Sequence, residues 1–436
     1  MRILFLCFSL LVLGLVGCKS TEEASENKHS IHFSSSSEVA GNCAATPYAD
    51  FQEAFRAGDF ARAGEVAASE EEQKLTEIGE YVLWEPVSDP PRPVMDYRFG
   101  DSLWLAHYYD LYQARAWSQD AFGFLLRIQR MDERTKPSDL IMSEALASVE
   151  GEQEILFPDG PMTMPITTSS SGSPVVEVTV NGKKYNFWID TGAGFSVVSS
   201  QVAKEVGIKP IGAEDVEIGT STKRTVSSQT AVIDSLEIGD LRVNRHPCII
   251  LAKKDLTFRI LGIRILKIDG IIGWPLIKEL DFEIDLPGKE LTIRKPVLGD
   301  KMAWSGDLGW YWQPILRMRT PSGCPLLFHL DTGAASTFFR PKAYDKLGKE
   351  PEKGGPLILG GAGGKEVVRY DKLDTVNFVM GEHLVQMDYA EGIPNTSKEK
   401  LLFEWDGVLG QDVLKYGSLR LDFQNRRFAF RLGEEK

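Results

Sequence analysis

Cysteine is scarce in this sequence. It contains five cysteines in 436 residues, and beyond the first 18 residues there remain Cys43, Cys248 and Cys324. An odd number excludes a framework in which every cysteine is paired, and the spacing fits neither a zinc site nor a redox pair. We therefore expect at most one disulfide in this part of the chain.

Clustered basic residues are also lacking. No run of Lys and Arg is longer than two, as in Arg426-Arg427, and the formal net charge is −13. Because binding to nucleic acid is driven by clustered Lys and Arg, we expect no nucleic-acid partner. The composition, 43% hydrophobic and 25% charged, is that of a globular chain long enough for two or three domains.

The amino terminus has the pattern of a targeting segment. Arg2 precedes an apolar run over residues 3–16, which is of signal-peptide length and short for a membrane span. Gly17-Cys18 at its end resembles the lipobox of bacterial lipoproteins, which implies that residues 1–18 are a signal peptide and that Cys18 is lipidated. The expected location is then the bacterial cell envelope, on its periplasmic or cell-surface side. The alternative is a plain secretory signal with an incidental cysteine.

Polar residues follow this segment and then give way to helical spacing. Residues 19–43 are polar enough to be predicted as a disordered tether. Within residues 44–150, apolar positions predict two short helices joined at Gly58-Asp59, and further helices over 103–116 and 121–131. Residues 54–63 resemble one hairpin of a tetratricopeptide-type repeat, although no second copy follows at a fixed period.

An aromatic cluster in this helical region has two interpretations. It could form a platform for a ligand or peptide, or it could pack in a core between helices, which is the commoner fate of such residues and the one we favour. The helical domain is therefore predicted to be a scaffold or to bind a protein partner. The aromatic cluster consists of Trp104, His107, Tyr108, Tyr109, Tyr112 and Trp117.

The sequence Asp-Thr-Gly-Ala occurs twice, at residues 190–193 and 331–334. Each copy ends an apolar run, so each predicts a buried strand that delivers an aspartate into a tight turn. Glycine in third place lets the backbone turn sharply beside the carboxylate, and the threonine hydroxyl can bond to a neighbouring main chain. Asp190 and Asp331 are therefore the first candidates for chemistry.

Each tetrapeptide lies in a longer repeated unit. A strand hairpin precedes each one, at residues 175–189 and 314–330, and an Asp-Gly block and a closing hairpin follow it. We place the units at 174–297 and 310–436, with a linker at 151–173 before the first and another at 298–309 between them. Asp269 and Asp406 open the Asp-Gly blocks and are expected to bond to backbone rather than to catalyse. Trp274, which directly follows the first block, could line a pocket or belong to the core.

Between the aspartate and the Asp-Gly block, each unit has a polar segment that contains glycine, at 218–224 and 359–365. The second is not a phosphate-binding loop, because Glu366 follows its lysine where Ser or Thr is required. We interpret both segments as flexible hairpins.

Together these motifs resemble the retropepsin-like aspartic proteases, over about residues 174–433. The resemblance implies a multi-domain α+β chain, in which an α-helical N-terminal domain precedes two tandem all-β retropepsin-like (acid protease) lobes. It implies an aspartic endopeptidase that binds an extended peptide or protein and needs no metal or cofactor. It also assigns roles to individual residues: a catalytic dyad of Asp190 and Asp331, supporting residues Thr191, Gly192, Ala193, Thr332, Gly333 and Ala334, and flap residues Gly219, Thr220, Gly360 and Gly361.

The chemistry of such a dyad follows from electrostatics. Two carboxylates about 3 Å apart cannot both ionise readily, so they share one proton, and one acts as base while the other acts as acid. The ionised member takes a proton from water, which attacks the scissile carbonyl. Two alternatives remain: an inactive lipid-anchored binding module with the same fold, and a glycoside hydrolase, which also uses two carboxylates. The second is disfavoured because its two carboxylates have different roles and no reason for identical surroundings.

The alanine in fourth place gives a first testable prediction. Neither Ala193 nor Ala334 can donate a side-chain hydrogen bond to a carboxylate, so the dyad should hold its shared proton to higher pH. We expect the rate of peptide hydrolysis to be greatest at mildly acidic to near-neutral pH. The profile of kcat/KM against pH tests this, and a maximum below pH 3 in a folded enzyme would contradict it.

Overall fold

The computed structural model describes residues 30–36, 48–86, 100, 102–212, 214–219, 225–260, 263–300, 302–361, 364–394 and 402–433. The predicted signal peptide, Cys18 and Thr220 lie outside these residues. Among the described helices, none combines the length and the apolar character needed to cross a bilayer.

Helices dominate the described residues up to 150, and short strands flank them. The elements are β1 Ile31–Ser35, α1 Phe51–Arg56, α2 Phe60–Val66, α3 Glu70–Trp84, α4 Ser102–Ser118, α5 Phe122–Met131, α6 Pro137–Ala147, β2 Glu154–Leu156, β3 Met162–Pro165 and β4 Thr167–Thr168. The predicted helical hairpin is present as α1 and α2, and the two further predicted helices are α4 and α5. Capping explains where the early helices begin: Asp50 accepts from the Glu53 N–H at 2.9 Å, and Ser69 forms a capping box with Glu72.

Strands make up most of the remaining chain. In the first unit they are β5 Pro174–Val180, β6 Lys183–Ile189, β7 Ser196–Ser199, β8 Val216–Gly219, β9 Thr225–Ile238, β10 Leu241–Leu251, β11 Thr257–Ile260, β12 Ile263–Lys267, β13 Gly270–Ile272, β14 Asp281–Asp285 and β15 Glu290–Arg294, with helices α7 Ser200–Val206 and α8 Trp274–Ile277. From residue 306 they are β16 Gly306–Trp310, β17 Pro314–Arg319, β18 Pro325–Leu330, β19 Phe338–Phe339, β20 Glu352–Gly361, β21 Gly364–Met380, β22 His383–Gly392, β23 Gly407–Leu409, β24 Gly417–Asp422 and β25 Arg427–Leu432, with helices α9 Pro341–Leu347 and α10 Gln411–Leu414.

The strand before each Asp-Thr-Gly-Ala is central in its sheet. Strand β6 pairs antiparallel with β5 and parallel with β13, which places Ile271 opposite Trp188. Strand β18 repeats this arrangement with β17 and β23. The turn between β5 and β6 uses Asn181 and Gly182, both at positive φ (45° and 84°), a conformation suited to a two-residue hairpin. Each aspartate therefore emerges from the buried middle of a sheet.

The two units also share a sheet. Strand β14 of the first unit pairs antiparallel with β24 of the second, and the order β3-β15-β14-β24-β25-β16 runs across both. An ion pair reinforces this join, because the Arg420 guanidinium donates to both carboxylate oxygens of Asp281, at 2.7 and 2.5 Å. The shared strands hold the two units in one fixed relation.

The helical region packs against both units. Trp117, near the end of α4, lies edge-on to Phe195 of the first unit, with ring centroids 4.4 Å apart, and also contacts Trp312 of the second. The buried Lys278 ammonium of the first unit donates to the Ser118 carbonyl at 3.2 Å. His107, Tyr108, Tyr112 and Trp117 are buried and Trp104 and Tyr109 are partly buried, so the aromatic cluster forms a core.

The prediction that three segments lack regular structure is wrong in part. Residues 31–35 of the predicted tether 19–43 form β1 on the edge of β22, and the predicted linkers at 151–173 and 298–309 contribute β2, β3, β4 and the start of β16. All five strands have five residues or fewer. Strands β1, β2 and β3 pair with strands far away in the sequence, and β4 has only two residues, so their own sequences carry little alternation to predict them.

Trp310 gives a prediction about stability. Its ring is buried and stacked on Trp274, with centroids 4.5 Å apart, and its indole N–H donates to the Ala114 carbonyl of α4 at 3.3 Å. Trp310→Ala should lower the free energy of unfolding by about 3–5 kcal/mol, because it removes a large buried side chain. Urea denaturation tests this. Leu298→Ala, at a residue 63% exposed, is the control and should change the free energy of unfolding by less than about 0.5 kcal/mol. If both substitutions lowered the free energy of unfolding equally, Trp310 would not be a stabilising contact between α4 and the two units.

Candidate active site

The two Asp-Thr-Gly-Ala turns are anchored alike. The Asp190 N–H donates to the Ile272 carbonyl at 3.0 Å, and the Asp331 N–H donates to the Leu409 carbonyl at 3.1 Å. Both carbonyls end the strand that runs parallel to the one before the aspartate. The start of each turn is therefore set by the central strands of its own unit.

Backbone N–H groups hold each carboxylate. The Gly192 N–H donates to Asp190 Oδ1 at 2.8 Å, and the Gly333 N–H donates to Asp331 Oδ1 at 2.8 Å. The Ala334 N–H also donates to Asp331 Oδ1, at 3.0 Å. These bonds fix one oxygen of each carboxylate within its turn.

The threonines tie the turns to each other. The Thr191 N–H donates to Thr332 Oγ1 and the Thr332 N–H donates to Thr191 Oγ1, both at 3.0 Å. Each hydroxyl in turn donates across the boundary, Thr191 to the Leu330 carbonyl at 3.0 Å and Thr332 to the Ile189 carbonyl at 2.8 Å. Four reciprocal bonds therefore bring the two aspartates into one buried site.

The electrostatics of the pair favour a bound proton. Asp190 has no exposed surface and Asp331 is 2% exposed. Burial is the main cause that raises the pKa of Asp190 well above its usual range, and the neighbouring Asp331 charge and a hydrogen bond with that carboxyl raise it further. Hydrogen bonds from the Gly192 and Ala193 N–H groups act in the opposite direction. Two carboxylates in this setting share a proton rather than both ionise.

The glycine that ends each Asp-Gly block allows the backbone to pack closely against the turn. A Cβ on Gly273 would lie 2.2 Å from the Phe195 carbonyl oxygen, and a Cβ on Gly410 would lie 2.6 Å from backbone atoms of Ser336. The residue after each glycine then donates its N–H to the turn, Trp274 to the Ala193 carbonyl and Gln411 to the Ala334 carbonyl, each at 2.9 Å. The predicted supporting alanines are buried at these contacts.

A layer of polar residues behind the turns was not predicted from the sequence. The Gly273 N–H donates to Ser196 Oγ at 3.0 Å, and the Gly410 N–H donates to Thr337 Oγ1 at 3.0 Å. Ser196 and Thr337 each lie six residues after their aspartate, so the repeat itself offered the signal.

The partners of these two hydroxyls differ between the units. His246 Nε2 bonds to Ser196 Oγ at 2.7 Å, whereas Asp412 Oδ1 accepts from the Thr337 hydroxyl at 2.7 Å. Burial lowers the pKa of His246 to about 3, so this imidazole is neutral. Their sequence positions do not correspond in the two units, and so the repeat gave no signal for them.

The glycines predicted to form flaps lie at the ends of two hairpins. Gly219 pairs with Thr225 at the end of β8, while Gly360 pairs with Lys365 and Gly361 with Gly364. An apolar cluster that includes Ala334 also includes Leu357 of β20 and Val368 of β21. The second hairpin therefore shares an apolar cluster with the second Asp-Thr-Gly-Ala turn.

The other residues singled out from the sequence make contacts within the fold. Trp274 is buried in the aromatic core with Trp310 and Phe423. Asp406 Oδ2 accepts from the Leu327 N–H at 2.8 Å and from the buried Lys346 ammonium at 2.9 Å. The carbonyl of Asp269 accepts from the Ser199 N–H at 2.9 Å. Cys324 is disulfide-bonded and Cys248 is a buried free thiol.

Comparison with known proteins agrees with this geometry over part of the chain. Residues 176–276, which include Asp190 and the first Asp-Gly block, match the model of a family described as aspartyl protease. This match supports a retropepsin-like fold in the first unit. A search of curated proteins found no match.

The solved structures that are similar to this chain include two aspartic proteases. A retropepsin-like aspartic protease from Rickettsia conorii has a TM-score of 0.22 and 18% identity, covering 33% of this chain and 93% of that one. The aspartic proteinase from Irpex lacteus has a TM-score of 0.39 and 13% identity, covering 63% of this chain and 98% of that one.

The threonine bonds predict how the site responds to mutation. Thr332→Val removes the hydroxyl and leaves the buried Thr191 N–H and Ile189 carbonyl without their partner, which should cost about 1–3 kcal/mol of unfolding free energy. Thr332→Ser keeps the hydroxyl and is the matched control. Denaturation of both variants tests the expectation, and equal stabilities would mean that the hydroxyl does not fasten the turns.

Proposed function

We propose that the protein is an aspartic endopeptidase in which the two repeated units are the lobes of a single active site. The observation that carries this proposal is the pair of interlocked turns, which places Asp190 and Asp331 together in a buried setting. Two apposed carboxylates add repulsion to a fold, so their presence needs a compensating role. Shared-proton catalysis supplies that role.

The proposed reaction uses water as the nucleophile. The ionised aspartate accepts a proton from water, the water oxygen attacks the scissile carbonyl carbon, and the protonated aspartate donates to the carbonyl oxygen. The raised pKa of Asp190 supports this scheme because a carboxyl that stays protonated can serve as the acid. No metal or cofactor takes part in these steps.

We propose an extended peptide or an unfolded protein as substrate. Hairpins β8–β9 and β20–β21 would act as flaps, since exposed strand edges pair with extended chains. The apolar cluster around Ala334 favours apolar side chains on the substrate. The competing function is an inactive binding module that would bind such peptides without cleavage.

We also propose roles for the N-terminal segment and for the helical domain. Residues 1–18 would direct the protein to the bacterial cell envelope, with lipidated Cys18 as its anchor. The helical domain, with its tetratricopeptide-like hairpin, would bind a protein partner while it supports both lobes. The contacts of α4 with Phe195 and Trp312 support the scaffold role.

Cleavage assays test the enzymatic proposal. The chain from residue 19 should hydrolyse an unfolded protein between pH 4 and 7, and Asp190→Asn and Asp331→Asn should each lower kcat/KM by about 10²–10⁴-fold, because either change removes a proton-transfer group. Asp240→Asn, at an exposed turn between β9 and β10, is the control and should leave the rate unchanged.

Two outcomes would reject the proposal. One is full activity in either variant of the dyad. The other is a wild-type chain that fails to cleave although it is folded and binds a peptide analogue of the tetrahedral intermediate, which would establish the inactive binding module instead.

A further inference from the structure

Gln411 contacts the second Asp-Thr-Gly-Ala turn twice. It is the first residue of α10, follows Gly410 directly and is 4% exposed. Its backbone N–H donates to the Ala334 carbonyl at 2.9 Å, and its side-chain Nε2 donates to the Thr332 carbonyl. The amide must point its nitrogen at Thr332, because a carbonyl oxygen can only accept.

The Thr332 carbonyl is half of a peptide group that serves Asp331. The other half is the Gly333 N–H, which donates to Asp331 Oδ1 at 2.8 Å. Hydrogen bonds in a chain polarise one another, so a donor on the carbonyl makes the N–H of the same peptide group a stronger donor. The Gln411 side chain therefore increases the stabilisation of negative charge on Asp331.

A second contact acts on the next peptide group. The Ser173 hydroxyl, fully buried, lies 3.4 Å from the Gly333 carbonyl and donates to it. That carbonyl shares its peptide group with the Ala334 N–H, which donates to Asp331 Oδ1 at 3.0 Å. At 3.4 Å this bond is long, so its contribution is smaller than that of Gln411, but it has the same sign.

Within the described part of the chain, neither contact has a counterpart at the first turn. Trp274 occupies the position that matches Gln411, and its N–H makes the same bond to the Ala193 carbonyl, but its indole stacks on Trp310 instead. Among the described residues, no side chain donates to the carbonyl of Thr191 or Gly192. The surroundings of the two aspartates therefore differ, although their own turns are nearly identical.

We propose that Gln411 is a positioning residue that breaks the symmetry of the dyad, so that Asp331 carries the negative charge and Asp190 carries the shared proton. This inference rests on the proposed function. In the reaction, Asp331 accepts the proton of the attacking water, the water oxygen bonds to the scissile carbon, and the Asp190 proton moves to the carbonyl oxygen. The neutral diol that results leaves the charge on Asp190 and the proton on Asp331.

Three other ionisable groups bear on this assignment. Asp190 faces it from the other turn, and burial raises the pKa of Asp190, which agrees with a bound proton there. His329, two residues upstream, is neutral because burial lowers its pKa to about 3. Asp412, next to Gln411, would oppose the assignment when ionised, but burial raises the pKa of this carboxyl, against hydrogen bonds from the Thr337 hydroxyl and N–H and the Val413 N–H that lower it.

Titration of the aspartates by carboxyl ¹³C NMR tests the proposal without reference to turnover. The full chain from residue 19 is labelled at aspartate Cγ, and Asp190→Asn and Asp331→Asn serve to assign the signals. The pair should titrate in two steps. In the wild type, the carboxyl ¹³C shift of Asp331 should change in the step at lower pH, and that of Asp190 in the step at higher pH. Gln411→Met, which has similar volume and no donor, should raise the lower step by about 0.5 pH unit, since it weakens one charge-stabilising contact.

Two further variants separate proton placement from packing. Gln411→Lys retains a donor and adds a positive charge, so the lower step should return to the wild-type value or fall below it. Gln424→Met removes a half-buried amide whose contacts are with Lys278 and Glu279, away from both turns, and should leave the titration unchanged. If the protein cleaves peptides, the acidic limb of the pH profile of kcat/KM should move with the lower step. A rise of 0.5 pH unit would lower kcat/KM about threefold on that limb.

The outcomes separate this inference from the proposed function. The inference is supported if Asp331 titrates before Asp190 in the wild type and if Gln411→Met, but not Gln424→Met, raises the pH of the lower step. This holds even if the chain cleaves nothing, in which case only the proposed function fails. Equal titration of both aspartates in the wild type would overturn it. So would equal shifts in Gln411→Met and Gln424→Met, or equal losses in Gln411→Met and Gln411→Lys.

Discussion

Two carboxylates buried side by side repel each other when both are charged, and the rest of this structure is arranged to keep them together. The strongest local restraint is the exchange of hydrogen bonds between Thr191 and Thr332, which leaves neither turn free to withdraw. These bonds lie in a water-poor setting, where a broken bond would leave buried donors and acceptors unpaired. The cost of separating the turns is therefore concentrated at the site itself.

The restraint extends outward through layers of different chemistry. Behind the threonines, backbone bonds from Trp274 and Gln411 fasten the alanine carbonyls, and Gly273 and Gly410 permit the required approach. Further out, β14 and β24 join the units in a continuous sheet. Because β14 and β24 are paired along their length, the two turns have little freedom to move apart.

The sequence predicted the centre of this arrangement better than its periphery. The two turns, their strands and the early helices were visible because local pattern and internal repetition both report on them. Strand β1 was not visible, since its pairing with β22 depends on residues more than 300 positions away. His246 and Gln411 were missed for a related reason: a histidine or glutamine has no periodic pattern, and its role comes only from the partner that the fold supplies. Repetition also concealed differences, because Trp274 and Gln411 occupy matching positions and make unlike side-chain contacts.

Trp117 connects the helical region to the site in a way that bears on regulation. It packs on Phe195, which lies five residues after Asp190, and also on Trp312 of the second unit. A partner that binds the helices more tightly when α4 is displaced would alter both contacts together. By thermodynamic linkage, any ligand held at the paired aspartates that favours one position of α4 would then change the affinity of that partner by the same factor.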